Sequence, residues 1–475
     1  MIFLAACTWI VAADASPLDR AGLAAEIDRV VKSPALATAK VGIYVQDTAT
    51  GESIYGKNED TLMSPASNAK LVTTAAALSV LKPDYRFVTR LETDGVLGSD
   101  GILQGNVYVK GGGDPALVSE RVWYIANELW HMGVRRISGD LVGDDSFFDQ
   151  DRMQAGWDED TSDRAYQAMT SGLSVNFNTI TVRLNPAPAE GRAGRVLFDP
   201  PTEFAKLDAA VTTTGGRTRV QIDVSPLPPA RGSKDQVVVK GKIGASDAGR
   251  AYWRKVDYPT EFAAHVFASF FKSAGIEIGG KVRTGTSPKD ASVLLSADSP
   301  RLAEIISDLN KTSNNFVAEQ ILKTMGAEQL GAPGTWEKGL SVVRQYLGSL
   351  GIAEASYKLQ NGSGLGDVNR LTPKQLVIVL SAAQKDPVMG PEYVVSLGVA
   401  GSSGTLRNRM GNGVGQYRVR AKTGSLSGAC TLSGYATTLS GKTLAFSILV
   451  NGYKKMAAVH DAQDEIAEAL VRFKP

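Results

Sequence analysis

The stretch Ser67-Asn68-Ala69-Lys70 sets a hydroxyl three residues ahead of an amine. On a helix that spacing puts both groups on one face, within reach of each other. A neutral lysine beside a serine can act as the base that makes it a nucleophile. Serine and lysine are common enough that the pattern alone says little, so its setting decides. Ser64-Pro65 offers an N-cap and a first-turn proline, and the alanine-rich run that follows reaches Leu81 just before Lys82-Pro83. This predicts a helix over residues 64–81. Ser67 then falls at its third position, where free backbone N–H groups and the positive end of the helix dipole favour a developing oxyanion. Ser313-Asn314-Asn315 lies at a break between two helical stretches, and Lys422-Thr423-Gly424 ends a predicted strand. Taken singly, Ser313 could cap a helix and Lys422 could be a solvated strand end.

Other chemistries find less support. The three histidines, His131, His265 and His460, are scattered and form no metal-binding cluster, so structural or surface roles are expected for them, with no metal and no cofactor. Their scarcity weakens a Ser-His-Asp triad and favours a lysine-based serine enzyme. With 51 basic and 49 acidic side chains the formal charge is only +2, which offers nucleic acid no electrostatic footprint. A composition 43 % hydrophobic and 21 % charged belongs to a globular chain rather than a disordered or membrane-spanning one.

The apolar run over residues 2–13, with Ala13-Asp14-Ala15 before Ser16, reads as an export leader over 1–15, too short to span a bilayer as a helix. No Lys or Arg precedes Arg20, so the usual basic start of such a leader is missing. Leu4-Ala5-Ala6-Cys7 also resembles a bacterial lipobox, in which Cys7 would carry a lipid anchor. Cys430 is then left unpaired, a buried inert thiol in a strand-like context, and no disulfide is expected.

The elements that must hold these groups come from both ends of the chain. A first helix is predicted over 18–31 and a hairpin over 40–47 and 52–55. From about 85 to 295 the texture changes to short alternating strands, among them 106–110, 217–224 and 236–241, with Pro- and Gly-rich loops at 185–201 and 225–233. Helical periodicity resumes at 302–309, breaks at 310–313 and restarts over 316–325. Strands over 417–421, 431–437 and 443–450 form an antiparallel meander, followed by a helix over 457–473. The chain thus reads as one α+β domain made of residues 16–84 and 296–475, interrupted by a β-rich insertion over 85–295 of two nested units.

In order and setting, the three motifs reproduce the S-x-x-K, S-x-N and K-T-G set of penicillin-binding proteins and serine β-lactamases. The sequence resembles most closely the class C low-molecular-mass penicillin-binding proteins, which are D-alanyl-D-alanine carboxypeptidase/endopeptidases. Lys110-Gly111-Gly112-Gly113-Asp114-Pro115, Gly143-Asp144-Asp145-Ser146, Leu173-Ser174-Val175-Asn176-Phe177-Asn178, Asn361-Gly362-Ser363-Gly364-Leu365 and Gly404-Thr405-Leu406 extend the likeness over about residues 41–452. The separation of 246 positions from Ser67 to Ser313 matches the place where that family carries extra domains.

The resemblance implies a penicillin-binding, β-lactamase-like transpeptidase fold and hydrolysis of D-Ala-D-Ala peptidoglycan stem peptides outside the cytoplasm, in the periplasm. β-Lactams would act as covalent inhibitors. Ser67 would attack with Lys70 as base, Ser313 would relay a proton to the leaving amine, and Asn315 would hold the substrate amide. Lys422 and Thr423 would bind the terminal carboxylate, beside Gly424, and the N–H groups of Ser67 and Ser425 would form the oxyanion hole. Asp144 matches a family acidic residue facing the substrate's diamino side chain. Where the family often has Ser-Arg after its Gly-Ser-Gly-Leu loop, Gly366-Asp367 stand here, with Arg370 nearby. Two rivals share the motifs: a serine β-lactamase, and a non-catalytic penicillin-binding sensor.

Overall fold

The computed structural model describes residues 16–154, 156–157, 162–226 and 234–474. The leader with Cys7, and residues 227–233 of the second Pro- and Gly-rich loop, lie outside the described residues.

Residues at both ends of the sequence make one sheet. Lys40–Asp47 alternates apolar side chains around Val41, Ile43 and Val45, and pairs antiparallel with Ser53–Lys57 through a bulge at Val45/Gln46. Its other edge pairs antiparallel with Thr443–Asn451, in register from Lys40–Asn451 to Asp47–Leu444. Ala429–Thr437, Val419–Leu426 and the short Gly398–Val399 complete a six-stranded sheet, antiparallel throughout.

Both faces are covered, as a sheet with no polar face requires. On one side the helices Arg20–Val31 and Met456–Arg472 pack together, with Leu23, Ile27, Val459, Ile466 and Leu470 in contact with Ile43, Phe446 and Leu432. Their apolar residues recur every three or four positions, the stripe a surface helix buries. On the other side lie Ala69–Leu81 and Pro373–Lys385, the second packed directly on the strands. Ala75, Ala76 and Ala77 are all fully buried. Small side chains let Ala69–Leu81 be surrounded by other helices without a polar face of its own. Each Leu or Ile buried this way stabilises by about 1.5–3 kcal/mol.

The insertion has its own core around Leu103, Val109, Ile125, Val182, Val239, Phe262 and Phe267. A mixed five-stranded sheet runs Val282–Thr284, Leu141–Asp144, Val107–Lys110, Val88–Thr93 and Ser292–Asp298. Nested within it, between residues 179 and 255, lie two three-stranded sheets. One is Arg195–Asp199, Thr179–Asn185 and Arg250–Lys255; the other is Ala205–Thr214, Asp235–Gly244 and Arg219–Pro226.

Several elements depart from the sequence expectation. The insertion also carries two helices, Ser119–His131 and Pro259–Ser273. In the first, Val122, Ile125, Ala126 and Leu129 face inward, yet Trp123, Tyr124 and Trp130 stand exposed among them and blur the apolar period. Lys422-Thr423-Gly424 lies inside the strand Val419–Leu426 rather than at its end. The helices Trp336–Ser349 and Pro373–Lys385 occupy stretches to which the sequence reading assigns no element.

Candidate active site

Ser67 sits in a single 3₁₀ turn, Ala66–Asn68, that leads into the helix Ala69–Leu81. The expected cap is absent: Pro65 opens the turn and no side chain caps it. Sheet contacts hold it instead. Thr431 Oγ1 donates to the Pro65 carbonyl at 3.0 Å, and the fully buried Asn68 amide meets Ser433 Oγ at 2.6 Å. Ala66 takes a positive φ of 45°, a left-handed conformation costly for a residue with a Cβ. Two glycines make room for this turn. A Cβ on Gly364 would lie 1.9 Å from the Ala66 carbonyl, and one on Gly424 would lie 2.9 Å from the Ser67 nitrogen. The strand carrying Gly424 and Ser425 therefore runs directly against the Ser67 N–H, as a shared oxyanion pocket requires.

Lys70 is fully buried behind Ser67. Its Nζ donates to Ser67 Oγ at 3.1 Å, to Asn315 Oδ1 at 2.7 Å and to the Ser363 carbonyl at 2.6 Å. Burial lowers its pKa from the ordinary lysine value to about 7, partly opposed by the charge of Glu319. A group at this pKa exchanges protons readily at neutral pH.

Ser313 ends the helix Leu302–Thr312 in the left-handed region, with φ 62°. It is Asn314 that caps the next helix, Asn315–Leu330, accepting from the Val317 N–H at 3.2 Å. The tight reversal delivers Ser313 and Asn315 side by side. From the sheet, Lys422 Nζ donates to Ser313 Oγ and to the Thr423 carbonyl, both at 2.7 Å. Lys422 is fully buried, and burial together with the neighbouring Lys70 holds its pKa well below the ordinary range. Thr423 Oγ1 lies 2.8 Å from Thr405 Oγ1, so Thr405 adds a second hydroxyl there. Ser67, Ser313, Asn315 and Thr423 are half-buried and Ser425 is exposed. The hydroxyls and the amide thus keep some exposure while both amines are fully buried.

Asp144 is elsewhere. It ends a strand of the insertion sheet, is fully buried, and its two oxygens accept from the backbone N–H groups of Ser146 and Ser287, each at 2.8 Å. With both oxygens engaged by backbone donors in a fully buried side chain, Asp144 orders a turn of the insertion, a structural role where the resemblance implies a substrate contact. Asp367 pairs with Arg370, Oδ1 to Nη1 at 3.1 Å, so the charge difference in this loop is neutralised locally. Cys430 is buried and unpaired, with its thiol pushed up to about 11 by burial, as expected of an inert residue. Among the described residues no cluster of metal-ligating side chains occurs.

The sequence does not single out Ser363 as an acceptor for Lys70, nor Glu319 beneath it. Glu319, Gln320 and Lys323 are all buried in a helix where they stand among the buried apolar residues Phe316, Val317, Ile321, Leu322 and Met325. Charged residues inside such a run are the signal that could have found them.

This is the fold of the penicillin-binding serine enzymes. The crystal structure of penicillin-binding protein 4 from Haemophilus influenzae superposes with a TM-score of 0.79, covering 94 % of this chain and 99 % of that one at 24 % identity. A predatory peptidoglycan endopeptidase of Bdellovibrio bacteriovorus shares the fold at a TM-score of 0.53, covering 90 % and 91 % of the two chains at 16 % identity. The chain belongs to the D-Ala-D-Ala carboxypeptidase 3 (S13) family, whose model matches residues 23–473. It is 37 % identical to the D-alanyl-D-alanine carboxypeptidase of Actinomadura sp. (strain R39), over 97 % of this chain and 86 % of that one.

Proposed function

We propose that Ser67 carries out the family's reaction, hydrolysis of peptides ending in D-alanyl-D-alanine, through a covalent acyl-enzyme. The observation that supports this most is the contact of Lys70 Nζ with Ser67 Oγ at 3.1 Å, in an amine whose pKa burial brings to about 7. Neutral Lys70 takes the Ser67 proton as Oγ bonds to the penultimate D-Ala carbonyl carbon. The oxyanion that forms lies between the N–H groups of Ser67 and Ser425, a donor pair of the type worth about 2.7–4 kcal/mol per donor. As the C–N bond breaks, Ser313 hands its proton to the leaving amine and is replenished by the proton that Lys70 took up, so Lys70 is neutral again; the Ser313–Lys422 contact lies on that route. Water then adds to the ester and gives a proton to neutral Lys70, which returns it to Ser67 Oγ as the C–O bond breaks, releasing the shortened peptide and free Ser67.

Asn315 Oδ1 holds Lys70 at 2.7 Å, while its Nδ2 donates to the Tyr166 carbonyl at 3.1 Å. Asn315 therefore orients the base as well as facing the substrate amide. A substrate carboxylate arriving beside Lys422 and Thr423 supplies the counter-charge that the buried amine lacks. The chain divides into a catalytic part, residues 16–84 and 296–475, and an insertion over 85–295. It works outside the cytoplasm, in the periplasm, on peptidoglycan stem peptides, and β-lactams acylate the same serine. In the alternative reading of the leader as a lipobox, a lipid anchor at Cys7 would hold the chain at the membrane.

Intact-mass and peptide analysis after benzylpenicillin treatment should place one adduct on the peptide containing Ser67, and D-alanine should be released from a stem pentapeptide. Absence of the adduct sinks the reading. Rapid turnover of the adduct without D-alanine release would favour a β-lactamase, and a stable adduct without D-alanine release would favour a sensor.

A further inference from the structure

Lys70 makes three hydrogen bonds, to a hydroxyl, a side-chain amide oxygen and a backbone carbonyl, and none to a carboxylate. Two charged groups act on it. Lys422 approaches from the sheet and Glu319 from the helix Asn315–Leu330. Glu319 lies one turn beyond Asn315 and is fully buried. Its carboxylate accepts from the backbone N–H of Gly362 at 3.1 Å, the N–H of Ser363 at 2.8 Å, the Ser363 hydroxyl and the Trp336 indole N–H at 3.0 Å.

Four donors and no acceptor describe an ionised carboxylate, because a protonated one would leave its own O–H without a partner. Burial pushes the Glu319 pKa up, and these four donors pull against it. Trp336 is itself fixed from the far side: Lys323 Nζ lies 4.1 Å from its ring centroid and pairs with Asp149 at 2.6 Å.

We propose that Glu319 is a positioning residue for Lys70. By gripping the 362–363 backbone it aims the Ser363 carbonyl at the lysine amine, and it supplies the one carboxylate charge that acts on that amine. Without it, Lys70 would lose the register of its shortest hydrogen bond and would face Lys422 with no opposing charge. This role rests on the reading of Lys70 as the base for Ser67. Glu319 touches neither the serine nor the space a peptide would fill, so it acts only through the loop and through its field.

The test is the pH profile of benzylpenicillin acylation at Ser67, measured on the full chain for the parent, Glu319→Gln and Glu319→Asp, with folding followed by thermal unfolding. Glutamine keeps the shape and removes the charge. A carboxylate favours cationic Lys70, so its loss should move the limb of the profile to lower pH, by about half a unit or more. A merely structural Glu319 would lower the plateau and leave the limb in place. A folded Glu319→Gln enzyme whose limb stays within about 0.2 unit of the parent overturns the proposal. Aspartate keeps the charge but draws it back from the loop, so the limb should stay near the parent's while the plateau falls about threefold or more. An aspartate variant with the parent's plateau also overturns it, and decides the matter if the glutamine variant does not fold. An unacylated parent overturns the proposed function and this role with it, whereas failures confined to the variants overturn this role alone.

Discussion

The Lys70 amine meets two oxygens that only accept, Asn315 Oδ1 and the Ser363 carbonyl, and one hydroxyl that can also give up its proton. Only the neutral amine can take that proton. Because burial brings the Lys70 pKa down to about 7, the neutral form gains as pH rises through 7. The rate constant for benzylpenicillin acylation should therefore climb through a limb near pH 7 and flatten above it. A limb near the ordinary lysine pKa, measured by stopped-flow acylation across pH, would remove Lys70 as the base. At this scale the motif residues were legible because the serine, lysine and asparagine types are themselves the chemistry. Asp144 was not. Asp144 and Asp145 stand adjacent in sequence, and the partner that fixes the first of them, the Ser287 N–H, lies 143 residues away. No local pattern records that contact.

Elements decide how closely these groups can approach. Lys422 and Gly424 are two apart on one strand and so point the same way. The first brings its amine to Ser313, and the second keeps that side bare where the Ser67 turn crosses. Gly424→Ala would press a methyl first against Thr431 Oγ1, which anchors the turn at Pro65, and then against the Ser67 nitrogen and the Ala66 side chain. Acylation should fall by about 10²–10³, the scale of one lost oxyanion donor, while overpacking lowers stability by about 1–3 kcal/mol. Measured together, acylation kinetics and chemical denaturation separate the two effects, and an enzyme of parental rate would deny the strand its part in the pocket. The hairpin and the terminal meander were readable because period-two alternation survives in strands with one consistent core. The 3₁₀ turn was not, since it is fixed by Thr431 and Ser433 on a strand more than 360 residues further on. Nor was the helix Ser119–His131, whose outward aromatics imitate a strand.

Across the whole molecule, the insertion is bound into the catalytic part at several points beside the site. Asn315 donates to the Tyr166 carbonyl, Gln320 donates to the Ser171 carbonyl at 3.0 Å, and Lys323 pairs with Asp149. Segments of the insertion therefore form part of the wall around Asn315 and Glu319. The broad plan, two chain ends enclosing a β-rich middle, was legible from the long gap between motifs and the change in texture. These contacts were not, because they join polar residues with no periodic signature.

The six-stranded sheet also sets an order in time. Lys40–Asp47 pairs locally with Ser53–Lys57 on one edge, but its other edge waits for Thr443–Asn451, and the Ser67 turn leans on strands that start at residue 419. The insertion can gather locally while its flanks wait, since pairing across such sequence separation is slow to nucleate. Competence to be acylated should thus arrive only as this sheet closes. On refolding from denaturant, capture of labelled penicillin should appear in the slowest kinetic phase, after most helix signal has returned. Capture in the earliest phase would mean that the nucleophile matures without its sheet. Capture confined to the slowest phase would instead make penicillin labelling a clock for the completion of this sheet.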